Sequence, residues 1–218
     1  MKCDLCPRKC LVDRKKGEKG ICGQTENLKV ARAALHFWEE PCISGDAGSG
    51  AVFFSGCPLH CVFCQNENIA NGTVGKEIAL ERLVDIFLEL QEKRANNINL
   101  VTPGHFVPQI VKALDQARRE GLTLPVVYNT SSYETVDTIK MLEGYVDIYL
   151  PDFKYMSPVL SKKYSHAPDY AEVAKAAIAE MVRQTGKAVF VNGDEDNLIL
   201  SGTIVRHLTL PGCMADSM

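Results

Sequence analysis

Residues 51–68 read AVFFSGCPLHCVFCQNEN, and in them Cys57, Cys61 and Cys64 follow an apolar run with the spacing C-x3-C-x2-C. Ala51 to Ser55 is short, apolar and partly aromatic and stops at Gly56, which predicts a buried strand delivering the cysteines on the loop at its end. A 4Fe–4S cluster normally takes four cysteine ligands, so three leave one iron open to an outside ligand. Gly56 lets the backbone approach closely, and Pro58 stiffens the turn between the first two cysteines. Phe63 stands directly before the third, where its ring would shield a cluster or cover a bound adenine. Taken alone, the spacing also fits a zinc knuckle or a set of buried thiols.

Downstream of this loop the pattern is regular. Residues 76–95 place Ile78, Leu83, Ile86, Phe87 and Leu90 at helical spacing, and INLVTP at 98–103 predicts the next strand. A helix from Pro108 to Glu120 follows, with proline in its first turn, then a strand over 124–130 and a helix over 134–143 closed by Gly144. VDIYLPDF (146–153) predicts another strand and residues 169–185 an alanine-rich helix ended by Gly186. AVFV and NLILSG flank Asn192 to Asp196 like a hairpin, and TIVRHLTLP (203–211) predicts the last strand. Strands recurring after long helices imply parallel βα units. The fold expected is therefore α/β, a partial parallel β/α (TIM-like) barrel. Active residues of such folds lie at C-terminal strand ends, and Asn129, Thr130, Asp152, Lys154, Arg206 and His207 all fall late in, or just after, a strand.

Upstream, residues 1–24 carry Cys3, Cys6, Cys10 and Cys22 as C-x2-C-x3-C-x11-C with little apolar material between them. So small a piece needs a staple, and four thiolates fit structural zinc or a second, saturated 4Fe–4S cluster equally well. Its basic residues, Lys2, Arg8, Lys9, Arg14, Lys15, Lys16 and Lys19, read as a solvated surface or as a docking face for an acidic electron donor such as flavodoxin. Residues 25–50 read as a connecting segment, in which LKVARAALHFWEEP suits a short strand or a helix, and residues 51–218 as the core. Cys42 is expected to be a small buried residue, His36 a packed or surface histidine, and His60 a neighbour of the cluster rather than a ligand.

The chain has 218 residues, 46% of them apolar, enough for one sizeable domain, and its net charge of −3 gives no basic field for nucleic acid. No apolar run has membrane-spanning length. Nine cysteines, seven of them in two tight groups, without a signal peptide, point to a reducing, cytoplasmic setting.

The stretches CDLCPRKC, GEKGICG, EEPCISG, GSGAVFFSGC, FCQN, YNTSSYE, DIYLPDFKY and VRHLTLPG together resemble radical S-adenosylmethionine (SAM) enzymes. Within that family they are most similar to the PflX-type branch related to pyruvate formate-lyase activating enzymes. The resemblance implies that Cys57, Cys61 and Cys64 hold a cluster whose open iron chelates SAM, with Phe63 packed near adenine. It puts the turn that accepts the SAM amino group at Thr102, Pro103 and Gly104, where this sequence lacks the usual Gly-Gly-Glu. It also implies that Asn129, Thr130, Asp152 and Lys154 line the SAM carboxylate and that Arg206 reaches SAM or the substrate. An oxidoreductase that cleaves SAM to a 5′-deoxyadenosyl radical is expected, with flavodoxin or ferredoxin as electron donor and, as substrate, either a glycyl-radical-type protein or some other protein or small molecule. A non-catalytic iron–sulfur or zinc electron-transfer protein is the alternative. The family core usually has six βα units, and only five strands are found from Ala51 onward, so the last unit is expected to be missing, leaving a bare sheet edge or an inactive fragment.

Overall fold

The computed structural model describes residues 2–193 and 197–217. In chain order its strands are β1 (Lys29–His36), β2 (Ser49–Phe54), β3 (Lys76–Glu77), β4 (Ile98–Val101), β5 (Val126–Thr130), β6 (Ile148–Phe153), β7 (Val189–Phe190), β8 (Ile199–Thr203) and β9 (Arg206–His207). The helices are α1 (Pro41–Ser44), α2 (Glu67–Ala70), α3 (Leu80–Glu92), α4 (Val107–Arg119), α5 (Val136–Lys140), α6 (Pro158–Ser165) and α7 (Tyr170–Thr185). Strands β2, β4, β5, β6 and β8 lie side by side and parallel, as long helical crossovers require. Both edges are antiparallel, with β1 and β3 beside β2 and β7 beside β8. The sheet is thus mixed and open rather than the wholly parallel one expected.

Each central strand is buried on both faces. Leu83, Val84, Ile86, Phe87 and Leu90 on α3 recur at helical spacing, and with α4 and α7 they cover Leu100, Tyr128 and Tyr149. Alternate residues point the other way, so Val127, Ile148, Leu150 and Ile199 pack around fully buried Ile43 of α1. The segment before β2 is therefore more than a connection: β1 joins the sheet and α1 covers the face that the long helices leave free. A third cluster, Leu59, Tyr133, Tyr155 and Tyr170, lies beneath the cysteine loop, with Cys57, Cys61 and Phe63 packed against it.

Several boundaries differ from the sequence reading. The helix expected over 134–143 is confined to Val136–Lys140, because Glu134 turns inward to Thr130 and the cap falls at Thr135, whose hydroxyl accepts from the Thr138 N–H. Helix α6 went unread, although Ser157 caps it and Pro158 opens it. The strand expected over 203–211 is instead the fifth parallel strand β8, resumed at β9 after a break, with Asp152 opposite Arg206. Its far side is not bare, since β7 pairs there. Of the turn expected at Asn192 to Asp196, residues 194–196 lie outside the described residues.

Candidate active site

The C-terminal ends of the parallel strands and the cysteine loop enclose a cavity of about 780 Å³. Cys57, Cys61, Cys64, Phe63, Thr102, Asn129, Thr130, Asp152, Lys154 and Arg206 all line it. Thr102 has φ +55°, a left-handed conformation costly for a β-branched residue, and its N–H donates to the Asn129 carbonyl at 2.9 Å. Gly104 is not in this cavity. It is buried against the Glu134 carboxylate, where an added Cβ would lie 2.5 Å from Oε2.

The cysteine loop is supplied with donors to sulfur. The Leu59 N–H points at Cys57 Sγ at 3.5 Å, and the Ser165 hydroxyl donates to Cys61 Sγ at 2.9 Å while hydrogen-bonded to the Tyr155 hydroxyl at 2.7 Å. Burial pushes the Cys57 thiol up to about 11, and the nearby Cys61 and Cys64 push it the same way. Burial also raises Cys61, against the pull of Ser165 and Lys154. Among the described residues no three His, Cys, Asp or Glu side chains converge on a single ion. A cubane does not ask for that, because each cysteine binds a different iron. Three neighbouring thiols on one loop, with donors to sulfur and an adjoining cavity, fit such a group.

The floor of the cavity is a charged network. Arg206 donates from Nε to Asp152 Oδ1 at 2.8 Å, from Nη1 to Glu39 Oε1 at 2.9 Å and from Nη2 to Asn129 Oδ1 at 2.7 Å. Glu39 Oε2 accepts from the Asn99 and Asn129 amides at 2.9 Å each. Burial pushes Glu39 above the usual carboxylate range, while Arg206 and the Asn99 amide pull it back. Lys154 Nζ donates to Asp152 Oδ2 at 2.6 Å and lies close enough to Cys61 to lower that thiol. Sequence reasoning missed Glu39, Asn99 and the buried Glu134, although the alternation of β4 offered a signal for Asn99.

The N-terminal leader, residues 1–24, is docked on this machinery. Arg8 donates to the carbonyls of Pro58 and Ser165, both at 2.9 Å, and of His166 at 2.5 Å, with its guanidinium 5.1 Å from the Tyr133 ring centroid. Buried Arg14 donates to the His105 carbonyl at 2.5 Å and to Thr25 at 3.0 Å. Two of the seven basic residues read as surface are therefore internal anchors. His60 bridges the Ile21 carbonyl at 2.8 Å and the Asn71 side chain at 3.1 Å, while His36 lines the cavity. Cys42 is half-buried beside Ile43.

A family model described as the radical SAM superfamily matches residues 51–196, about two-thirds of the chain. The chain belongs to the radical SAM superfamily. An uncharacterized protein of Methanocaldococcus jannaschii, MJ0674, is 28% identical over 215 residues, covering 96% of the chain, which spans 57% of that relative's length. Proteins of this superfamily bind SAM and a 4Fe–4S cluster. Glu39 and Arg206, the two ends of the floor's ion pair, both lie outside the part that the radical SAM model matches. Among the described residues no helix is long and apolar enough to cross a membrane.

Proposed function

We propose that Cys57, Cys61 and Cys64 hold the cluster, that SAM lies between it and the Asn129–Asp152–Lys154 floor, and that the substrate is a protein segment, as for activating enzymes of glycyl-radical proteins. The observation that carries this reading is the placement of Lys154. Of its three N–H donors one goes to Asp152, which fixes the ammonium beside Cys61 and, among the described residues, leaves donors for a carboxylate. When bound, the cluster supplies the low-potential electron that splits SAM into methionine and a 5′-deoxyadenosyl radical.

The chain's residues then have separate tasks. Lys154 holds the SAM carboxylate, Asn129 and Thr130 border the ribose and amino side, and Phe63 closes the adenine side. Arg206 has all three nitrogens engaged, so it acts by positioning Asp152 and Asn129. The rim supports a protein substrate, since Trp38 is 89% exposed and Leu208 41% exposed where the cavity opens, with Leu210 and Pro211 beside them. The grouping of seven of the nine cysteines in two tight sets supports a reducing, cytoplasmic setting.

The test is anaerobic reconstitution with iron and sulfide, reduction with dithionite in the presence of SAM, and assay for 5′-deoxyadenosine. Product is expected from the parent and none from a Cys57→Ala, Cys61→Ala, Cys64→Ala variant. A parent that binds iron yet makes no product would sink the assignment. Glycyl-radical formation on an added partner, read by electron paramagnetic resonance (EPR), tests the substrate class.

A further inference from the structure

The residues read as holding SAM belong to one side of the cavity. Asn129, Thr130, Asp152 and Lys154 sit at the ends of β5 and β6, and the Phe63 ring packs 6.4 Å from that of Tyr155, just beyond β6. The facing wall is made by β1 and β2, where Arg32, His36 and Phe53 line the same space. In the sheet β1 lies four places from β6, about 19 Å along it at the usual strand spacing. With its carboxylate at Lys154 and its adenine at Phe63, SAM leaves this wall to the substrate.

A bulge puts Arg32 there. Val30 pairs with Phe54 and Arg32 with Phe53, so Ala31 is an extra residue in β1. Side chains alternate along a strand, and without the insertion Arg32 would share the face of Val30, which is buried in the core with Phe54. The extra residue turns it onto the face of Phe53 instead, the re-aiming that bulges beside active sites perform. The rest of β1 follows: Ala33 and Leu35 pack on the core, while His36 comes round to the cavity with its ring 6.4 Å from that of Phe53, edge to face. Three arginine and lysine side chains line the cavity. Lys154 and Arg206 are both paired with Asp152, and Arg206 also with Glu39. Arg32 is exposed and has no hydrogen-bond or ion-pair partner among the described residues.

Resting on the reading of the cavity as a SAM site with a protein substrate, we propose that Arg32 receives a carboxylate of that substrate, so that the segment entering the cavity carries an acidic side chain. The guanidinium offers a planar pair of donors to a carboxylate, and the Phe53 ring opposite it takes the apolar part of the same side chain. A single cation matches a single negative charge. A phosphate, with nearly two, would find one cation on this wall and the carboxylates of Glu39 and Glu40 already gathered at Arg206. The edge beside Arg32 favours a peptide over a free acid. β3 pairs only with Lys29 and Val30, so beyond them the outer edge of β1 carries no strand among the described residues. Its backbone groups can take up an extended segment as a further strand. Arg32 thus sets specificity and has no part in cleaving SAM.

The experiment is anaerobic titration calorimetry on the reconstituted, SAM-loaded full chain, with four probes: a Gly-Glu-Gly peptide capped at both ends, its Gly-Gln-Gly counterpart, acetate and inorganic phosphate. The Glu peptide is expected to bind the parent most tightly, about ten-fold or more above the Gln peptide. Arg32→Gln should bring the Glu peptide down to the level of the Gln peptide, and Arg32→Lys should keep part of the preference. SAM should shift the EPR signal of the reduced cluster in the parent and in both variants. Equal binding of the two peptides, no binding of either, or a preference that survives in Arg32→Gln overturns the proposal. Tighter binding of phosphate overturns the carboxylate, and acetate binding as well as the Glu peptide overturns the peptide in favour of a small carboxylic acid. A SAM shift present in the parent and lost in Arg32→Gln places Arg32 in the SAM site and overturns its role toward substrate. A parent whose cluster does not respond to SAM overturns the underlying reading instead, which the peptide titrations do not test. The comparison of Glu and Gln peptides on the parent decides the matter even if a variant fails to fold.

Discussion

Replacing Glu39 by alanine removes the acceptor of hydrogen bonds from Arg206, Asn99 and Asn129, leaving the guanidinium with Asp152, the Asn129 side chain and the more distant Glu40. Breaking one side of a largely buried ion pair in this way should lower the unfolding free energy by about 2–4 kcal/mol, allowing for the partial exposure of Arg206. Urea denaturation should show a lower midpoint with an unchanged slope. Glu134 offers a pH-dependent counterpart. Burial raises its carboxyl from the ordinary 4.5 to about 7, against hydrogen bonds from Thr130 and Tyr128. The folded state then holds this proton more tightly than the unfolded chain. Its contribution to stability is complete below about pH 4.5 and is lost as pH rises through about 7, an effect of about 1–3 kcal/mol. Glu134→Gln keeps the neutral shape, so it should flatten that slope and leave the protein more stable than the parent at pH 8, as denaturation at pH 5 and pH 8 would show. Neither glutamate was legible in the sequence. Thiol spacing announces itself because three ligands must share one loop, whereas Glu39 meets Arg206 only after the whole sheet has formed between them.

At the scale of elements, the cysteine loop and the leader stand or fall together. Gly56→Ala forces a side chain onto the Cys22 carbonyl at a left-handed backbone position, so the leader should come off its seat. Limited proteolysis should then cut within residues 1–24 at least ten-fold faster, roughly the effect of 1.4 kcal/mol on a local opening equilibrium. The parallel core was readable because its strands are apolar on both faces and its helices repeat at three and four residues, as Leu83, Phe87 and Leu90 show. Short elements were harder. β1 carries Arg32 in the middle of an apolar run, and its pairing with β2 shifts register there, so neither period dominates. Helix α6 had its Ser-Pro start in plain view but little apolar periodicity, since only Ser161 and Ser165 are buried along it. The final strand was placed late because alternation continues past His207, where pairing with β6 has already stopped.

For the whole molecule, the site is assembled from three stretches far apart in sequence: the loop of Glu39, the central strands, and Arg206. Ligands that bind only this assembled state must stabilise it. Loading with iron and sulfide under anaerobic conditions should raise the melting temperature by about 5 °C or more, and chelation should reverse the shift, as calorimetry can follow. The arginine anchors set an order of events during synthesis. Arg8 finds its acceptors 50 residues later at Pro58 and 158 residues later at His166. At ribosomal speeds of about 5–20 residues per second, roughly 8–30 s separate the emergence of the leader from that of its last anchor. Through that interval the first four cysteines are exposed on a nascent chain, open to oxidation and to stray metals. A maturation factor that shields them until the anchor appears would meet them in their unanchored form, never in the folded one.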